Sequence, residues 1–146
     1  MNSGASKPLK ERLHALAEFL PEFERPDFEF GHWEHPPSEE PGVTILSWFE
    51  LGEVASAFVQ VAYEMGWVWD FDWVTWMQTP EATNLRDNPL ALAHATPDQL
   101  AKLLTVFIRQ DRFCEGALES AYEQGLLTRI VRRAAQLESG STRGQK

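Results

Sequence analysis

The stretch Thr96-Pro97-Asp98-Gln99 constrains this chain more tightly than any other, because it dictates where a helix must begin. A threonine hydroxyl accepts an unpaired backbone N–H of the first turn. Proline presets φ at the first helical position, aspartate suits the positive end of the helix dipole, and glutamine reaches back to close a capping box. The helix opened there carries Leu100, Leu103, Leu104, Phe107 and Ile108. It runs at least to Gln110 and either stops there or continues to Gln124, where Gly125 is placed to end it.

The same logic applied along the chain predicts further helices. Leu9, Leu13, Leu16 and Leu20 form one apolar stripe, which predicts a helix from Pro8 to Phe23. Val54, Phe58, Val61 and Ala62 predict a second over Leu51 to Met65, with Gly66 at its end. Asp72 reads as the cap of a helix opening at Trp73. Thr79-Pro80 and Asn88-Pro89 each read as a cap followed by a proline, hence short helices joined by turns. A last helix runs from Leu126 to Leu137, with Leu127, Ile130, Val131 and Ala134 turned inward.

Two stretches have period two instead. Phe28 to Glu34 alternates as a strand, residues 35–42 form a proline-rich turn, and Thr44 to Phe49 reads as the return strand. Gly66 to Phe71 alternates again and is a candidate third strand. A lone hairpin is marginal in water, so it must pack on helices or gain that strand. The expected fold is therefore α+β and helix-dominated, with five or six helices and a small antiparallel hairpin or three-stranded sheet. Residues 8–138 form a single globular domain, and 1–7 and 139–146 are small, polar tails.

Charge divides the chain unevenly. Its net charge is −9, yet no Lys or Arg occurs between Arg25 and Arg86, a stretch holding eleven acidic residues. Such a balance argues against nonspecific nucleic-acid or membrane binding. The C-terminal helix leans basic through Arg129, Arg132 and Arg133. Acidic segment 26–85 and that helix either neutralise one another within the fold or serve self-association or a protein partner. The one cysteine, Cys114, excludes an internal disulfide, which suits a reducing cytoplasmic setting. No apolar run approaches the ~18 residues needed to span a bilayer.

The polar cluster from Thr105 to Gly116 is the strongest candidate site. On a continuous helix, Thr105, Arg109, Arg112 and Gly116 share one face, and Glu115 can reach Arg112. Two guanidinium groups side by side suit a phosphate or carboxylate, because arginine forms planar bidentate hydrogen bonds. Thr105 would donate a further hydrogen bond, and Glu115 would orient an arginine or act as a general base. The competing assignment ties both arginines to Glu115, Asp111 or acids of the middle segment, making the cluster structural.

Residues Leu103 to Thr105, Arg109, Arg112-Phe113, Glu115-Gly116, Gly125 and Arg133 together resemble the C-terminal signature of a family of small bacterial proteins of unknown function. Asp27-Phe28, Gly31, Trp33, Gly66 and Phe71-Asp72-Trp73 extend the similarity over about residues 12–137. The resemblance implies no activity. It places the Arg/Arg/Glu cluster in a shared pattern and puts Cys114 at its variable position, against a nucleophilic role.

The tryptophan-rich stretch Trp67, Trp69, Phe71, Trp73, Trp76 is the second candidate. Such rows stack sugars, nucleobases or cations, with Trp69 and Trp73 as ligand-binding residues, or simply fill the core. His32-Trp33-Glu34-His35 puts only His32 and Glu34 on one strand face, too few for a metal site, and no cofactor motif is present. The residues leave open whether the protein is an enzyme. The expected function is a small binding or regulatory module acting through a protein partner or small ligand. The alternative is an enzyme or binder acting on a phosphorylated small molecule or nucleotide.

Overall fold

The computed structural model describes residues 7–35, 37, 40–43 and 46–144. Helices dominate: α1 (Leu9–Ala17), α2 (Leu20–Phe23), α3 (Glu53–Glu64), α4 (Trp73–Trp76), α5 (Pro80–Asp87), α6 (Pro89–Ala93), α7 (Pro97–Gln110), α8 (Ala117–Glu123) and α9 (Leu126–Gly144). Two short strands, β1 (Gly31–Glu34) and β2 (Trp48–Leu51), pair antiparallel with Gly31 opposite Leu51 and Glu34 opposite Trp48. The expected tail at 1–6 and the start of the expected return strand, Thr44-Ile45, lie outside the described residues.

The capping box at Thr96 forms as its residues dictate. The Gln99 backbone N–H donates to Thr96 Oγ1 at 3.1 Å, and the Thr96 N–H donates to Gln99 Oε1 at 2.9 Å. The side-chain amide of Gln99 then donates to Glu81, whose carboxylate also accepts from the indole of Trp76. Those two hydrogen bonds, Gln99's first, hold the Glu81 carboxyl below its usual range and tie α4, α5 and α7 together. Helix α7 is buried on most of its circumference, through Leu100, Ala101 and every residue from Leu103 to Ile108. It packs against α9, whose Leu127, Ile130, Val131 and Ala134 are fully buried. Helix α9 in turn lies along α1, with His14 Nδ1 at 2.7 Å from Glu138.

More helical segments form than the five or six expected, for local reasons. Pro21 lacks an N–H for the Ala17 carbonyl and its ring crowds that carbonyl, so the first helix breaks into α1 and α2. Leu51 joins β2 instead of α3. Helix α7 stops at Gln110, so α8 is separate. Helix α9, by contrast, continues beyond Leu137 to Gly144.

No third strand forms at 66–71, which is the main correction to the expected sheet. The segment alternates like a strand, but its polar groups are taken elsewhere. With Gly66 at φ +75°, the Trp67 and Val68 N–H groups turn back onto the Ala62 carbonyl at the end of α3. The Trp69 N–H donates to Thr105 Oγ1 at 3.3 Å. The one proton of that hydroxyl lies between the carbonyls of Ala101, at 2.8 Å, and Trp67, at 3.2 Å. Trp67 is fully buried while Trp69 is exposed, so the two do not share a face. Arg12 completes the lock. Its guanidinium donates to the Met65 and Gly66 carbonyls and lies 4.7 Å from the Trp67 ring centroid, and burial lowers its pKa.

Replacing Thr105 with Val keeps the side-chain shape but removes the acceptor for the Trp69 N–H. Urea unfolding followed by tryptophan fluorescence should show a loss of about 1–3 kcal/mol, with Thr105→Ser close to wild type.

Candidate functional site

The end of α7 decides the site. Beyond Gln110 the chain turns, with the Phe113 and Cys114 N–H groups both donating to the Gln110 carbonyl at 2.9 Å. Asp111 then accepts from the Gly116 and Leu118 N–H groups at 3.1 Å, supplying the cap that glycine cannot give to α8. Gly116 sits at φ +91°, a left-handed conformation, and is buried. A Cβ there would stand 3.0 Å from the Trp33 ring of β1. Glu115 reaches the other strand: its carboxylate accepts the Phe49 N–H of β2 at 2.9 Å. The 111–116 turn is thus clamped to the hairpin.

This turn takes Arg112 and Gly116 off the helical face that Thr105 and Arg109 share on α7, so the four do not meet on one helix. Thr105 is fully buried and bonded to backbone, and Glu115 is engaged by β2. Arg109 and Arg112 do stay together, and both reach Tyr63 of α3. The Arg109 guanidinium carbon lies 5.9 Å from the Tyr63 ring centroid, and Arg112 Nη2 donates to the Tyr63 hydroxyl at 3.1 Å. Among the described residues, neither arginine is within ion-pair distance of a carboxylate.

The two arginines line an open groove of about 620 Å³, shared with Trp73, Val74, Phe113 and Cys114. Its floor is largely apolar. Phe113 is 79% exposed and stacks on Trp73 with centroids 6.4 Å apart. Trp73 and Val74 are held there by α4, whose cap Asp72 accepts from the Thr75 N–H and hydroxyl. Those two bonds keep the Asp72 carboxyl below its usual pKa. Trp69 lies elsewhere, stacked on Phe71 and bordering a separate hollow of about 400 Å³ beside Arg12 and Ala101. Tyr63 and Val74 carried no distinguishing signal in the sequence, and Phe113 stood out only within the family-like motif. Among the described residues, no three His, Cys, Asp or Glu side chains converge as metal ligands, and no helix is long and apolar enough to cross a membrane.

A family-level comparison matches residues 8–140 to the "Family of unknown function (DUF6508)", and the chain belongs to that family. No curated protein and no solved structure matches it.

Gly116→Ala forces a side chain into the left-handed region and against Trp33. The expected cost is about 1–2 kcal/mol, read from urea unfolding followed by tryptophan fluorescence.

Proposed function

We propose that this member of the family is a small binding module whose groove takes an anionic ligand with an apolar or aromatic body, free or presented by a partner protein. The observation that carries the proposal is the pair Arg109 and Arg112, free of carboxylate partners among the described residues, beside the exposed Phe113–Trp73 stack. A carboxylate or phosphate would gain charge-assisted hydrogen bonds from the two guanidinium groups, and an aromatic body would cover the rings. The groove's volume suits a small ligand or a short side-chain cluster.

Binding is favoured over catalysis because Glu115, the candidate base, already accepts the Phe49 N–H. Self-association through segment 26–85 and the basic C-terminal helix gains less support, since Arg132 meets Glu24 of its own chain at 2.7 Å. A reducing, cytoplasmic setting suits the exposed Cys114 thiol at the groove.

Trp73 reports on occupancy. A panel of aromatic carboxylates and aryl phosphates, titrated at fixed ionic strength, should include compounds that quench tryptophan fluorescence saturably. Arg112→Ala should weaken them about tenfold or more, and Phe113→Ala should weaken them too. A panel with no saturable quenching, or affinities that Arg112→Ala leaves unchanged, contradicts the proposal.

A further inference from the structure

A second concentration of positive charge lies between α6 and α9, lined by none of the groove residues. Here a hollow of about 150 Å³ is walled by Pro89 and Ala93 of α6 and by Arg129, Arg132, Arg133 and Gln136 of α9. The spacings of three and four residues bring the three arginines to one side of the helix. Among the described residues, only one of them has an acidic partner: Arg132 meets Glu24. Arg133 donates its Nε–H to the Ala95 carbonyl at 2.8 Å, which contributes no net negative charge, and among the described residues its terminal amino groups have no partner. The Arg129 side chain, half-buried, has no hydrogen bond or ion pair among the described residues.

Like charges at this spacing repel, and this chain otherwise carries an excess of acid. Three guanidinium groups around one small hollow are stabilised when an anion occupies it. The donors are planar forks joined by a side-chain amide, a set that matches the oxygens of a tetrahedral oxyanion. The volume admits one such group and little beyond it, while Pro89 and Ala93 offer apolar contact to a short carbon stub.

We infer that this hollow is an anion site for phosphate, either free or as the terminal group of a small monoester. The inference is independent of the Arg109–Arg112 groove. Arg129 is the residue to change, because its side chain holds no other described part of the fold.

The test uses the full chain, with ionic strength held constant by sodium chloride. Inorganic phosphate and glycerol phosphate are titrated separately. Thermal unfolding and the Nε–Hε resonance of Arg129 are both followed. Saturable stabilisation by either anion, with a matching shift of that resonance, is the expected result, and the tighter of the two identifies the source of the phosphate. With Arg112→Ala present throughout, so that the groove does not compete for phosphate, Arg129→Gln should weaken binding about tenfold or more. Stabilisation that does not saturate, that chloride reproduces, or that survives Arg129→Gln in the Arg112→Ala background overturns the inference.

Discussion

The hydroxyl of Thr105 is the interaction on which the rest of the architecture leans. It is the one polar side chain among the described residues that is wholly buried, and it sits midway along the most enclosed helix. A buried hydroxyl must be satisfied. Here it takes the backbone of Trp67 and Trp69 as partners, giving an irregular segment the hydrogen bonds a neighbouring strand would otherwise supply. With 66–71 held against α7, Asp72 falls where it can cap α4, and α4 presents Trp73 and Val74 beside the end of α7. The groove is therefore a consequence of how an internal hydroxyl is satisfied.

Four helix beginnings were legible in the residues because a side-chain cap is a local event. Asp72, Thr79, Asn88 and Thr96 each bond a backbone N–H within three residues, and no distant partner is involved. What happens at 66–71 was not legible in the same way. Alternation fits a strand and an extended segment on a helix equally well, and Thr105, far along the chain, decides between them. The end of α7 is a similar case. The apolar spacing allows a continuous helix to Gln124, and it is the capture of the Gly116 and Leu118 N–H groups by Asp111 that stops it.

The candidate site divides along the same line. Arg109 and Arg112 read as a pair, and they stay a pair, because they lie within one turn of each other. Glu115 reads as their companion only on an unbroken helix, and with the helix ended it faces the hairpin. Thr105 stays on α7 with Arg109, but packing buries it in the core. Tyr63, the group both arginines reach, is on another helix, and nothing in residue spacing links it to them. The chain's charge follows this pattern too: its acidity is spread over the middle segment, while Arg109 and Arg112 line one concave place and Arg129 and Arg133 another, where short-range hydrogen bonding outweighs the overall field.

Amide hydrogen exchange at Trp69 tests this account most directly. The account predicts that this amide, in a segment with no regular secondary structure and with an exposed indole, exchanges on the slow timescale of the α7 core, because its hydrogen is donated to Thr105. Exchange as fast as that of an unprotected turn would mean that the hydroxyl does not hold the segment, and the groove would need another explanation.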